Sequence, residues 1–165
     1  MTRTERPPQG PSITVAVADP FSEEARACIQ AYFQELQARF DEGFDPELTV
    51  SATPEELAPP AGYLLIARLE AQAVGCGALK IHREDGYGEI KRMWVAPSAR
   101  GLGIARRLLA ALEAKAAEAG VTVLRLDTHH SLAEARALYL RSGYVEISPY
   151  NANPYAQHWF EKREF

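Results

Sequence analysis

Glu89-Ile90-Lys91-Arg92-Met93-Trp94-Val95-Ala96-Pro97-Ser98-Ala99-Arg100-Gly101-Leu102-Gly103-Ile104-Ala105 is the stretch on which the reading of this chain turns. A strand over Gly88–Val95 ends at Pro97, a glycine-containing turn follows, and a helix expected over Leu102–Ala119 starts inside that turn. A helix N-terminus leaves several backbone N–H groups unpaired and carries the positive end of the dipole. Two glycines let the main chain close round a ligand without Cβ clashes. Together these features predict an anion site suited to a pyrophosphate. No Lys-Ser or Lys-Thr follows the glycines, so the Walker pattern fails. The dinucleotide fingerprint fails too, because Arg106 stands where Gly or Ala is needed. What remains is Arg-x-x-Gly-x-Ala, Arg100 to Ala105, directly after a strand reading Met-Trp-Val-Ala-Pro.

Working outward, the pattern predicts strands over Ser12–Val17, Gly62–Leu69 and Ala71–His82 before that strand, with a helix from Ser22 to about Phe40. Hairpin turns are expected near Glu70-Ala71-Gln72 and at Asp85-Gly86. Asp41–Pro60 is turn-rich. After the helix, which Gly120 ends, come a strand Val121–Leu126, a helix Leu132–Arg141, and strands Tyr144–Ile147 and Gln157–Lys162. The strand–helix–strand unit Gly88–Leu126 predicts a right-handed crossover between parallel strands. The middle strands form an antiparallel meander, so the class is α/β with a mixed sheet, not a doubly wound one.

Composition agrees with an ordinary globule. The chain has 165 residues, 47% hydrophobic and 24% charged, with a formal net charge of −4. That balance argues against a non-specific nucleic-acid binder. No apolar run approaches the roughly 20 residues a membrane span needs. Met1–Pro11 reads as a loose polar tail, with one domain over residues 12–165. Cys28 and Cys76 lack metal-ligand spacing and read as reduced, buried thiols of a cytoplasmic protein. His82 and the pair His129-His130 lack a third ligand at useful spacing, so no metal is expected.

The segment Arg100–Ala105 in this context resembles the acetyl-CoA motif of the GNAT (GCN5-related) N-acetyltransferases, Gln/Arg-x-x-Gly-x-Gly/Ala. Leu138-Tyr139-Leu140-Arg141-Ser142-Gly143-Tyr144 is similar to that family's Leu-Tyr-x-x-x-Gly-Phe segment. The resemblance covers roughly Gly62 to Phe165. It implies a mainly antiparallel sheet flanked by helices, with splayed fourth and fifth strands. It also implies acetyl-CoA as co-substrate and an amine acceptor. The amides of Arg100, Gly101, Leu102, Gly103, Ile104 and Ala105 would hold the pyrophosphate, with Arg106 beside them. The strand end Met93, Trp94 and Val95 would lie along the pantetheine arm like an added strand.

Acetyl transfer to an amine needs a base, an oxyanion donor and an acid for the departing thiolate. By the resemblance, the Val95 N–H is the oxyanion donor and Tyr139 the acid. Glu89 lies six residues before Val95, where a subset of the family carries its base. Strict alternation would put Glu89 and Val95 on one face of the strand, and a bulge between them would break that parity. An ion pair with Lys91 or Arg92 is the competing use of Glu89. Phe33 with the loop around Asp41, Glu42 and Phe44, and the aromatic, amide-rich stretch containing Tyr150, Asn153 and Tyr155, are the expected acceptor walls. Homodimers are frequent in the family, and no residue here demonstrates one. Two rival readings remain, a non-catalytic acyl-CoA-binding module and a nucleotide-binding α/β protein.

Overall fold

A computed structural model describes residues 10–48 and 52–165. All but the last two residues of the expected tail Met1–Pro11 therefore lie outside the described residues. The elements are β1 (Ile13–Ala18), α1 (Glu23–Arg39), β2 (Gly62–Leu69), β3 (Gln72–His82), β4 (Tyr87–Val95), α2 (Ile104–Glu118), β5 (Leu124–Thr128), α3 (Ala133–Arg141), β6 (Val145–Ile147) and β7 (His158–Lys162). Their order is the expected one, and most boundaries move by one to three residues. Short 3-10 turns occupy Pro46–Leu48, Glu55–Leu57 and Pro97–Ala99.

Local chemistry explains the boundaries. Ser22 caps α1, its hydroxyl accepting from the Ala25 N–H at 3.2 Å, and Glu23 and Glu24 sit in the first turn. The β2–β3 hairpin turns on Glu70 and Ala71, both at positive φ, as a two-residue loop demands. The β3–β4 turn is longer, running from His82 to Tyr87 through Gly86 at φ +73°.

The strands form one sheet in the order β1-β2-β3-β4-β5-β7-β6. Every neighbouring pair is antiparallel except β4 and β5, which are parallel. Helix α2 covers one face with the fully buried Ile104, Leu108 and Leu112, packed with Leu65, Leu79, Leu124 and Phe160. Helix α1 contributes Ala25 and Cys28 to a second cluster on Leu64, Ile66, Cys76 and Ala78. Both cysteines are buried and free. No described helix is long and apolar enough to cross a membrane.

Two departures from regular pairing create the site. First, β4 and β5 pair only at Gly88↔Leu124 and Glu89↔Arg125. Beyond those positions the strands part, which is the expected splay. Second, Cys76 opposes Trp94 while Ala78 opposes Lys91. Gly77 alone therefore faces both Arg92 and Met93, a β-bulge, with Arg92 in the left-handed region at φ +56°. The bulge reverses the alternation of β4. Ile90 faces the α2 cluster before it, Met93 and Val95 face that cluster after it, and Trp94 joins the α1 cluster.

Gly88 sits at the apex of the wedge with no room to spare. A Cβ there would lie 2.9 Å from Leu79 Cδ1 and 3.1 Å from Leu124 Cδ2. Valine suits strands, so the expected effect of Gly88→Val comes from overpacking alone: a loss of about 1–3 kcal/mol. It should appear in urea unfolding as a lower midpoint at unchanged m value.

Candidate active site

The gap between β4 and β5 opens into a cleft of about 950 Å³ that runs from the N-terminus of α2 to α3. The main chain prepares the α2 end. Gly101 and Gly103 lie at φ +83° and +76°, and a Cβ on either would meet nothing within 4 Å. Their glycines thus answer to backbone conformation and leave the space in front open. Helix α2 has no side-chain cap. The Arg107 N–H donates to the Gly103 carbonyl at 3.1 Å, so the amides ahead of Arg107 have no helical acceptor. Every expected cofactor contact lines this cleft except Leu102, which is 44% exposed.

The free edge of β4 faces the same gap. The Ala96 N–H donates to the Val74 carbonyl at 2.7 Å, so the alternate residue, Val95, directs its N–H and C=O away from β3. The Arg100 Nε donates to the Val95 carbonyl at 3.2 Å, and the Arg100 guanidinium also pairs with Glu35 of α1. A second ion pair, Arg39 to Glu134 at 2.9 Å, spans from α1 to α3 on the rim of this cleft.

A smaller chamber of about 100 Å³ lies behind the cleft, between α1, the β4 bulge and β5. The two cavities share Tyr32, Met93 and Tyr139 among their walls. Tyr139 is 5% exposed, and burial pushes its phenol well above the ordinary tyrosine range, as it does for Tyr32. Tyr139 therefore stays protonated at any working pH.

Of the expected acceptor contacts, Phe33, Asn153 and Tyr155 line the small chamber, and so does Phe44. Tyr150 does not. Its hydroxyl donates to Glu89 Oε2 at 2.8 Å and is spent there. Glu42 pairs with His129 Nε2 at 2.9 Å. The other histidines are engaged as well, His82 with Glu89 at 3.1 Å, His130 with Gln157 and His158 with Glu146 at 2.7 Å.

Of the two uses read for Glu89 in the sequence, the structure shows the ion pair, with Lys91 at 3.6 Å. The bulge puts Glu89 on the opposite face of β4 from Val95, and it lines neither cavity. Its carboxylate is 2% exposed and ringed by Tyr150, His82, Lys91 at 3.6 Å and Asn151 at 3.4 Å. Burial alone would raise its pKa. The His82 hydrogen bond, the Lys91 charge and the Tyr150 hydroxyl outweigh burial and hold it below the ordinary glutamate range.

Asp127, one strand across, is the carboxylate that does line the chamber. It accepts from Asn151 Nδ2 at 2.6 Å and from Asn153 Nδ2 at 3.1 Å. Burial raises its pKa, and the nearby Glu89 charge adds to that. The two amide hydrogen bonds and Lys91 oppose the rise without cancelling it. Asn151 thus touches both carboxylates. Asp127 and Arg92 are the residues that reading the sequence missed here. The one available signal for Asp127 was an acid inside the otherwise alternating Leu124–Thr128 strand.

Comparison with known proteins agrees with this architecture. Residues 26–144 match the model of the Acetyltransferase (GNAT) family. The chain is 37% identical over 140 residues to an IAA acetyltransferase of Azospirillum brasilense, covering 85% of this chain and 89% of that protein. It is 31% identical over 140 residues to an uncharacterised N-acetyltransferase of Schizosaccharomyces pombe, covering 80% and 81%. A solved Klebsiella pneumoniae structure, provisionally described as an acyl-CoA N-acyltransferase, superposes with a TM-score of 0.73 at 34% identity, covering 93% of this chain and 98% of that one. A glycine-built helix N-terminus beside a splayed strand pair, and relatives matched over most of their length, lead to one conclusion: this chain belongs to the GNAT family of acetyltransferases.

Proposed function

We propose that this acetyltransferase moves an acetyl group from acetyl-CoA to the primary amine of a small molecule or peptide, by direct attack within a ternary complex. One observation carries the reading. A long cleft with an anion-seeking end and a small polar-aromatic chamber meet at a common wall that includes Met93 and Tyr139. Donor and acceptor can then enter from separate sides and meet in the gap between β4 and β5. The relatives' names, an acyl-CoA N-acyltransferase and an N-acetyltransferase among them, support nitrogen as the acceptor atom.

The residues fit such a donor. The amides ahead of Arg107 and the Arg106 side chain would hold its phosphates, and the Met93–Val95 edge its pantetheine arm. Acetyl-CoA, when bound, supplies the acetyl thioester. The Val95 N–H, already turned into the gap, is the donor for negative charge developing on the carbonyl oxygen. Tyr139, kept protonated by burial, is the acid for the departing thiolate.

The base is Asp127, not Glu89. Its pKa is raised and it lines the acceptor chamber, whereas Glu89 is stabilised as an anion and enclosed. Glu89 is a positioning residue. It shares Asn151 with Asp127, and its charge makes Asp127 more basic. A single domain over residues 12–165, from the chain length, and a cytoplasmic location, from the reduced reading of Cys28 and Cys76, belong to the same proposal, and the family resemblance makes a homodimer the assembly to test for.

A thiol-release assay with acetyl-CoA and a panel of amines tests the activity. Turnover of at least one amine is expected, and binding of acetyl-CoA without turnover of any amine would make the chain an acyl-CoA-binding module. Tyr139→Phe should lower kcat by roughly 10²-fold while leaving the KM for acetyl-CoA unchanged. A base must be deprotonated to work, so activity should rise with pH through the elevated Asp127 pKa. Asp127→Asn should lose that limb and roughly 10²-fold in kcat. Glu89→Gln removes a charge that raises the Asp127 pKa, so the limb should survive and shift to lower pH. The kcat/KM profile of each variant checks both expectations, and loss of the limb in Glu89→Gln alone would reverse the assignment.

A further inference from the structure

The charges on the chamber wall are not all accounted for. Lys91 has Glu89 at 3.6 Å, and His129 has Glu42 and Ser131. Asp127 is held by two neutral amides, with the Lys91 charge acting on it from further off. Arg92 forms no ion pair with any described carboxylate. Its Nη2 donates to the Ala52 carbonyl at 3.0 Å, its guanidinium lies 4.8 Å over the Phe33 ring, and its Nε is buried without a partner. Burial lowers the Arg92 pKa, and only the phenol of Tyr32 and the thiol of Cys76 oppose it. A buried guanidinium that lacks a counter-ion is costly.

The backbone shows the same expense. Arg92 is the bulge residue at φ +56°, a conformation that side chains with a Cβ rarely adopt. Strain of this kind, of order 1 kcal/mol or more, persists where the surrounding structure holds it in place, and it clusters at ligand sites. Here its effect is to turn a cation into the chamber, where Asp127 is the opposite charge and the two do not pair with each other. Between them the wall is aromatic, with Phe33, Phe40, Phe44 and Tyr155.

We propose that the acceptor is a small zwitterion, an amine carrying its own carboxylate or phosphonate on a compact apolar body. The anionic group binds the Arg92 guanidinium where it lines the chamber, the amino group approaches Asp127, and the body rests on the aromatic wall. The chamber, at about 100 Å³, is smaller than a cavity of about 150 Å³ that accommodates benzene, so it favours the smallest such molecules. This inference rests on the transferase reading and narrows it. Arg92 sets specificity for the acceptor; it takes no part in the proton transfers.

The test is a matched set of acceptors assayed by thiol release: L-valine, its amide, its decarboxylated counterpart isobutylamine, and its phosphonate analogue. Glycine, L-alanine and their corresponding amides and amines extend the set. The expected result is a kcat/KM at least tenfold higher for a zwitterion than for its amide and amine. Preference between the valine and phosphonate arms then assigns the anionic group. Arg92→Gln should erase that preference, raising the KM for the zwitterion at least tenfold more than the KM for the amine, and Arg92→Lys should restore part of it. Circular dichroism and the Tm of Arg92→Gln confirm that the variant is folded. Should it be unfolded, the wild-type ratio of zwitterion to amine and the Arg92→Lys constants decide alone. Equal turnover of zwitterion, amide and amine would overturn the acceptor assignment and leave the transferase reading intact. No thiol release from any amine would overturn both.

Discussion

Two strands that pair at one end and part at the other are the constraint from which this site follows. β4 and β5 share only the Gly88↔Leu124 and Glu89↔Arg125 positions. A fully zipped pair would bury the outward-turned backbone groups of Met93 and Val95 in ladder bonds. Because the strands part, those groups face a cleft, and the sheet keeps an internal edge that a ligand can complete. An exposed edge is normally a hazard. Here it is sunk between the N-terminus of α2 and the side of α3, so a second sheet cannot reach it.

The bulge at Arg92–Met93 does the second half of the work. Without it, Glu89 and Val95 would share a face, and one carboxylate would stand near the reacting carbonyl. With it, Glu89 turns into a ring of donors, and the chamber takes its carboxylate from β5 instead. The two acids then separate by environment. Glu89, given charged and hydroxyl donors, is stabilised as an anion. Asp127, with amides as its hydrogen-bond donors and Lys91 further off, is left with its pKa raised by burial. Groups whose surroundings push their pKa values apart are the ones that can divide acid and base roles.

How much of this was legible in the chain itself follows the range of the interactions involved. The order of elements rests on local periodicity and turn chemistry, and every strand and helix expected from them is present. The glycine turn that opens α2 was legible because Gly101, Gly103 and the strand before them lie within a few residues. The splay came from the family resemblance, since no local pattern encodes which strands diverge. Tyr150 could not be placed from its neighbours, because its partner Glu89 lies 61 residues away in sequence. Arg92 read as one more charge beside Glu89 until the bulge, which depends on the register with Gly77, turned it inward. Asp127 carried almost no signal, since its role depends on Asn151 and Asn153 arriving from a loop beyond β6.

The central claim is that the N-terminus of α2 and the free edge of β4 form one continuous donor site. Titration of the ¹⁵N-labelled protein with coenzyme A, followed by amide chemical shifts, tests it most directly. The largest shifts are expected at the amides of Gly101 to Arg106 and at Met93 and Val95, with the β1–β2 pair unmoved. Binding that shifted other amides and left the Gly101–Arg106 segment unchanged would contradict it.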